Sequence, residues 1–448
     1  MISMNFSGGY NLKIAGKPEK AVEEMLELPK TAAVSAKDIP ALRPKMSVTE
    51  GDKVSAGDAL FVHKGDERIQ FVTPYSGTVK EIRRGKRRKL LEVVVEVDEK
   101  QKQKKFTKLN LDKATDQDVV SYLLETGAWP YFRAMPNHHI ADPESRPRDI
   151  YIQTLDLEPH TPDLNFVLNG QGSALQKGVD LLRKLTKGSI YVTVAATDSQ
   201  VPADVKKLQD VKLVSTKAVY PAGDPAVTSY HVAPLRKNDC AWYIDAQDLI
   251  AIANQVDSGS IDTVRHFTIS GTMSTRPRYV KTHLGRLVED LIQGDVKDGD
   301  KSFICGGVFT GTYVSQDTYC TYYGRGIHVL KEGNEREFIR FLWPGLDKYS
   351  YSRVWMSTLF PQKEYEFTNS FQGEDRACIQ CAQCEVVCPN DILPQFLFKA
   401  VLATDYDEAE QLGIQDCAQC GLCNYVCPSK IDLVGTIQEG IETIIKEG

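Results

Sequence analysis

No window of the 448-residue chain approaches the roughly 18 consecutive apolar residues that a bilayer span requires, and the mean hydropathy of −0.31 agrees. Any membrane role is expected to be peripheral. The first 16 residues, MISMNFSGGYNLKIAG, lack the basic segment and apolar core of a secretory signal, so a cytoplasmic chain is expected. Neither sign of charge is in large excess: 54 Lys and Arg against 60 Asp and Glu leave a net charge of −6, which speaks against a nucleic-acid binder. The eight histidines are scattered and no H-E-x-x-H occurs. Adjacent His138 and His139 would point in different directions on regular structure, so both read as structural and no catalytic residue is assigned. Cysteine is nearly absent from the first 377 residues, where Cys240, Cys305 and Cys320 stand apart and read as buried apolar thiols.

The chain has the length of about three compact units. With 42% hydrophobic and 25% charged residues it is excluded from the disordered, collagenous and small disulfide-scaffold classes. Residues 46–97 read as short β segments with Gly-Asp turns at Gly51-Asp52 and Gly57-Asp58, a compact β sandwich, followed by a lysine-rich linker from Glu99 to Lys108. Residues 150–250 alternate between strand and helix. The segment ALQKGVDLLRKLT places Leu175, Val179, Leu182 and Leu185 on one helix face, and the βαβαβ order predicts a small parallel sheet. A strand, helix and strand from Val264 to Phe309 give a β-grasp-like pattern, with β character expected to about Phe341. The basic run KEIRRGKRRK reads as a solvated hairpin turn. NGQGSALQKG, from Asn169 to Gly178, lacks the third glycine of a dinucleotide fingerprint and reads as a turn and helix start.

The remaining eight cysteines crowd into 50 residues. Cys378, Cys381, Cys384 and Cys388 with Pro389 form C-x2-C-x2-C-x3-C-P, and Cys417, Cys420, Cys423 and Cys427 with Pro428 repeat it. Three thiolates at i, i+3 and i+6 wrap one face of a cubane, and the fourth, expected to begin a helix, faces away. The run is that of bacterial two-cluster ferredoxins, in which the fourth cysteine ligates the other cluster. Adopting that pairing assigns one [4Fe–4S] cluster to Cys378, Cys381, Cys384 and Cys427, and a second to Cys417, Cys420, Cys423 and Cys388. Zinc sites pair two C-x2–4-C knuckles and do not account for a third cysteine and a following proline. Disulfides between such tight triplets would be strained. The residues between the motifs read as helices, with an apolar stripe at Phe396, Leu397, Ala400 and Val401, so the tail is expected to be an α-helical ferredoxin. A C-terminal helix carrying Ile437, Ile441, Ile444 and Ile445 is expected to cover the clusters.

Outside the tail, several segments resemble the A subunit of the sodium-translocating NADH:quinone reductase (Nqr), in order along the chain. They are LRPKMSVTEGDKVSAGDALF (Leu42–Phe61), TGAWPYFRAMP (Thr126–Pro136), AVYPAGDPAVTSYHVAPL (Ala218–Leu235), CAWYIDAQDLIAI (Cys240–Ile252), RPRYVKTHLG (Arg276–Gly285) and WPGLDKYS (Trp343–Ser350). The resemblance implies a multidomain α/β and β chain with four units. These are a barrel-sandwich hybrid like the biotinyl and lipoyl carriers (residues 1–100), a Rossmann-like middle domain (101–258), a β-grasp, soluble-ligand-binding region (259–345) and the α-helical ferredoxin (346–448). Carrier chemistry does not follow, because Tyr75-Ser76-Gly77 offers no modifiable lysine at the turn. The resemblance also implies a peripheral subunit on the cytoplasmic side of a bacterial inner membrane, docked to a membrane partner like the family's B subunit. Quinone is then a candidate substrate, with NADH oxidised on another subunit.

The tail departs from that family, in many members of which most of these cysteines are lost. The C subunit of the Rnf complex keeps two such motifs. Rnf C subunits also carry a dense glycine loop for flavin and nicotinamide phosphates. Here the corresponding region has Trp129, Tyr131, Phe132 and Arg133, so FMN is not expected. The expected function is therefore electron relay through two [4Fe–4S] clusters in a complex coupling NADH oxidation and quinone reduction to sodium export. The alternatives are an Rnf-type subunit exchanging electrons between ferredoxin and NADH, and a scaffolding subunit whose clusters hold the tail folded.

Overall fold

A computed structural model describes residues 1–196, 201–236, 239–333, 342–369 and 376–447. Two small sheets face each other in the first unit. One orders the strands Thr31–Ser35, Leu90–Val97, Gly77–Arg84 and Lys53–Val54, and the other Pro44–Met46, Ala59–His63 and Asp66–Val72. Alternating apolar residues from both, such as Val93, Val95, Phe61 and Phe71, meet in the interior. The basic run forms the tip of the hairpin between Gly77–Arg84 and Leu90–Val97, where Lys86–Lys89 are exposed.

Within residues 1–100, which the sequence assigns to one unit, two short strands of the first 25 residues pair outside these two sheets. Ile2–Met4 runs parallel to Lys212–Thr216 at one edge of the central sheet, and Val22–Met25 pairs with Arg278–His283 at an edge of the third. Each covers an edge that would otherwise present unpaired backbone groups. Such long-range pairing leaves no local pattern in the residues themselves.

The central sheet has five parallel strands in the order Ile2–Met4, Lys212–Thr216, Ile190–Ala195, Ile150–Gln153 and Ala241–Asp245, then antiparallel Arg133–Met135 and His139–Ile140. The helix Gly172–Leu185 forms where its periodicity predicts, with Leu175, Val179, Leu182 and Leu185 buried. Strand Ala241–Asp245 leads directly into helix Ala246–Ser258, capped by the Asp245 carboxylate accepting from the Gln247 N–H at 2.7 Å. The third sheet orders Thr312–Val314, Lys301–Cys305, Gly326–Lys331, Val264–Ser270, Arg278–His283 and Val22–Met25. Its β character can be followed to Lys331; the remainder of the expected stretch to Phe341 includes residues 334–341, which lie outside the described residues.

The cysteine-rich tail is helical, with Pro394–Leu402, Tyr406–Gln411 and Leu433–Glu447 packed around Leu397, Ala400, Val401, Ile437 and Ile441. Phe396 lies outside this packing and is exposed. Ile444 and Ile445 are partly buried against the same cluster. One local expectation is corrected. Cys388 and Cys427 do not begin helices; they follow the short helices Gln383–Val387 and Leu422–Val426, because Pro389 and Pro428 turn the preceding residue into extended backbone.

The central and third sheets are joined by a buried ion triad. Asp248, in the first turn of helix Ala246–Ser258, accepts from Arg265 Nε at 2.7 Å and from Arg325 Nη2 at 2.9 Å. Burial opposes the Asp248 charge, but Arg325 and Arg265 together hold its carboxyl below the usual carboxylate range. Asp248→Ala leaves two buried guanidiniums without their shared anion. The expected loss is about 3–5 kcal/mol in chemical denaturation, and a loss below about 1 kcal/mol would show that the triad does not hold the two sheets together.

Candidate metal centre and adjoining cleft

The short helices ending at Val387 and Val426 bring the two motifs together in space. Cys378, Cys381, Cys384 and Cys427 line one small pocket, so three cysteines of the first motif are gathered with the last of the second. The reciprocal set is buried deeper. Cys417 packs with Cys388, and Cys388 lies within electrostatic reach of Cys417, Cys420 and Cys423. Cys384 and Cys423 share one apolar cluster, which links the two groups.

Burial dominates the chemistry of these thiols. It pushes Cys417 up to about 12 and Cys384 up to about 11, and raises Cys388, Cys420 and Cys423 as well. Backbone N–H groups oppose it. The Cys388 sulfur receives those of Asn390, Ile392 and Asp391, and Gln419 donates to the Cys417 sulfur at 3.4 Å. Such bonds favour the anionic sulfur that a metal requires. Among the described residues no three His, Cys, Asp or Glu side chains converge as a single bound ion would need. The first group surrounds a pocket instead of a point, and an all-thiol set of four arranged in that way fits a multi-iron cluster better than zinc.

The two groups differ in position. Cys381 is exposed and Cys378 half-buried, whereas Cys417, Cys420 and Cys423 are buried. The backbone around the second group is fastened to the rest of the chain. Tyr220 donates its hydroxyl to the Cys420 carbonyl at 2.7 Å, and a His231 ring nitrogen lies 2.7 Å from the Pro389 carbonyl. Residues 7–10 run past the Cys388 turn, where Gly9 N–H donates to the Val387 carbonyl at 2.9 Å. A Cβ on Gly8 would fall 2.1 Å from the Cys388 carbonyl oxygen, so no other residue permits this approach.

Beside the second group opens a cleft of about 890 Å³ between the central sheet, the third sheet and the tail, with Ala418, Gln419 and Gly421 in its wall. Tyr131 and Arg133, from the segment that the sequence contrasts with a glycine loop, line it together with His138. The Arg133 guanidinium lies over the rings of Tyr243 and Tyr323, 4.5 and 4.7 Å from their centres. His138 Nδ1 is 2.9 Å from the Tyr243 hydroxyl, while His139 forms part of the edge strand, so the pair diverges as expected.

A carboxylate that no sequence motif singles out also matters here. In the turn Gly306–Gly311, the N–H groups of Phe309 and Thr310 converge on Glu158 Oε1 at 2.5 and 2.9 Å, and the Thr310 hydroxyl donates to Oε2 at 2.8 Å. Those donors would otherwise be free to bind an external anion. A Cβ on Gly307 would lie 1.9 Å from the Glu158 carboxyl carbon, so that glycine makes room for the side chain. The turn at Asn169–Gly178 is closed in a similar way, Gly170 N–H donating to Asp204 Oδ2 at 2.7 Å. Burial and neighbouring Asp156 push Glu158 up to about 7 despite these bonds, and burial pushes Asp224 up to about 6.

Cys305 and Cys320 are buried as the sequence leads one to expect, but Cys240 is only half-buried. Its position just before the start of strand Ala241–Asp245 leaves it at the rim of the sheet.

Four family models match the chain: the NqrA N-terminal barrel-sandwich hybrid domain over residues 4–98, the NqrA second alpha/beta domain over 114–261, the NQRA C-terminal domain over 268–316, and a 4Fe-4S dicluster domain over 364–431. Among curated relatives, the A subunit of the Na(+)-translocating NADH-quinone reductase of Saccharophagus degradans is 32% identical over 408 residues, 90% of each chain. The protein of the same name from Rhodopirellula baltica is 31% identical over 452 residues, covering 98% of this chain and 97% of its own. A solved structure of an NAD+-reducing [NiFe]-hydrogenase in the H2-reduced state is similar at 11% identity and a TM-score of 0.38, over 74% of this chain and 66% of that one, too distant to bear on function.

The raised Glu158 carboxyl has a consequence for stability. Between about pH 4.5 and about 7 the folded chain holds a proton that the unfolded chain has released, so this group's contribution is full below that window and falls as pH rises through it. Glu158→Gln does not ionise. The variant is expected to exceed the native chain in stability by about 2 kcal/mol at about pH 8, with the difference vanishing near pH 4.5; parallel pH profiles for the two chains in urea denaturation would contradict this.

Proposed function

From the premise that the chain belongs to the family of the A subunit of the Na(+)-translocating NADH-quinone reductase, we propose that it is a peripheral electron-transfer subunit of that complex and relays electrons through two [4Fe–4S] clusters. The carrying observation is that Cys378, Cys381, Cys384 and Cys427 line one small pocket that reaches the exposed Cys381 loop, while Cys388 lies within electrostatic reach of Cys417, Cys420 and Cys423 next to the cleft wall at Ala418, Gln419 and Gly421. One cluster is held by Cys378, Cys381, Cys384 and Cys427, the other by Cys417, Cys420, Cys423 and Cys388. When bound, such clusters supply reversible one-electron chemistry. The chain's own part is to hold the thiols as anions with backbone N–H groups, to exclude water with the Leu397–Ile437 core, and to fasten the second group through Tyr220 and Gly8.

The finer architecture belongs to this proposal. The middle domain (101–258) is Rossmann-like, residues 259–345 are β-grasp-like, the barrel-sandwich unit lies within 1–100 and the two-cluster tail (346–448) is like that of the Rnf C subunit. Among the described residues no helix is long and apolar enough to cross a membrane. The chain docks on a membrane partner like the family's B subunit, on the cytoplasmic side, with quinone as the terminal acceptor. Against an Rnf-type role with bound flavin stand Glu158 and Asp204, which fill with the chain's own carboxylates the two turns most suited to a phosphate.

The reconstituted chain is expected to bind about eight irons and about eight sulfides, with two electron paramagnetic resonance signals on reduction. Cys427→Ser perturbs the cluster of the first motif and Cys388→Ser that of the second; the opposite assignment would overturn the cross-pairing. NADH added to the purified protein leaves the clusters oxidised, and direct bleaching would favour the Rnf-type reading. In the assembled complex, Cys384→Ser lowers quinone reductase turnover at least about tenfold with assembly preserved, whereas full turnover would make the clusters structural.

A further inference from the structure

Cys305 ends strand Lys301–Cys305 and contributes to the wall of the cleft, remote in sequence from the tail. Cys320 packs in the same apolar core, and each is 1% exposed. Cys320 is held in place by its own N–H, which donates to the Arg286 carbonyl at 2.8 Å. The Cys305 sulfur accepts twice from Thr321, from its N–H at 3.3 Å and its hydroxyl at 3.4 Å, which brings the residue directly after Cys320 onto that sulfur. Sulfur is a weak acceptor when protonated, so donors converging on it favour its anion. The neighbouring Cys320 side chain together with Thr321 holds the Cys305 thiol below its ordinary range against the opposing effects of burial and Asp38, and Cys320 is itself raised. The arrangement is that of a nucleophilic thiolate with a second thiol nearby to resolve its oxidation product.

We infer that Cys305, in the cleft wall, and Cys320 form a redox-active dithiol, which small hydroperoxides convert to a disulfide. The Cys305 sulfur attacks one peroxide oxygen; the S–O bond forms as the O–O bond breaks, and the departing oxygen takes up a proton and leaves as water. The Cys320 sulfur then attacks the sulfenic sulfur, forming the S–S bond and breaking the S–O bond, and a second water leaves. Two thiols and one hydrogen peroxide thus give one disulfide and two waters, with two electrons passing from sulfur to peroxide oxygen. The oxidant class follows from burial: a residue 1% exposed leaves no room for a bulky disulfide, so the oxidant is a small hydroperoxide. The new bond would tie the strand end at residue 305 to the segment at 320, directly before the Gly306–Gly311 turn that receives Glu158. The inference does not depend on electron relay by the tail.

Cys240 supplies an internal reference, because it is half-buried yet its thiol is raised above the ordinary range by burial. The cluster-loaded full chain is treated anaerobically with hydrogen peroxide in equimolar steps, denatured in N-ethylmaleimide and mapped by peptide mass. A Cys305–Cys320 cross-linked peptide, lighter by two hydrogens, is expected to accumulate at least about tenfold faster than any oxidation of Cys240. Cys320→Ser stops at the sulfenic acid, so dimedone labels Cys305 in that variant and not in the native chain. Recovery of both cysteines as maleimide adducts when Cys240 is already oxidised, or equal rates at the two places, would overturn the inference without recourse to a variant.

Discussion

The constraint on which the structure turns is the withdrawal of most of the tail's thiols from water within a single small helical unit. A buried neutral thiol is harmless, but a buried thiolate is costly unless donors or a cation meet it. In this chain burial drives Cys417 and Cys384 far above the ordinary thiol range, while backbone N–H groups at Cys388 and Cys417 pull the other way. Such groups are best reconciled by a positively charged inorganic core that takes the sulfurs as ligands. Around that requirement the helices pack, the prolines stop the two short helices, and the N-terminal segment passes close to the Cys388 turn.

The cleft follows a related electrostatic logic. In α/β proteins, backbone N–H groups at turns beside a parallel sheet are ready for phosphate. Here Glu158 takes those of Phe309 and Thr310, and Asp204 that of Gly170. A carboxyl group already supplied by the chain satisfies the donors at no cost in ligand-binding entropy and leaves none of them for a second anion. The cleft is thereby left with aromatic and guanidinium surfaces at Tyr131, Tyr243, Tyr323 and Arg133, beside the deeper thiol group.

Local elements were legible wherever their periodicity was strong. The face of Leu175, Val179, Leu182 and Leu185 marked the helix Gly172–Leu185, and the strand-to-helix passage at Ala241–Ser258 followed from its composition. The pairing of Ile2–Met4 with residues 212–216 and of Val22–Met25 with residues 278–283 was not legible, because it depends on partners far along the chain. Cys388 and Cys427 follow short helices and do not begin them, because the prolines after them disfavour a helical backbone for the preceding residue. Glu158 has no linear signature, since its role comes from a turn some 150 residues away.

By itself the order of residues determined the tail's chemistry: four thiols at intervals of three, three and four, twice, each run ending at proline, make a ligand set that few other arrangements would use. It also determined the family, through co-linear segments spread over the body of the chain. Only the tertiary structure decided which thiols share a pocket, which group adjoins the cleft, that Cys305 meets Cys320, and that the anion-binding turns are filled from within. Those outcomes depend on side chains brought together by packing and long-range pairing, and the energy of such contacts is a function of distance in space, to which separation along the chain is no guide.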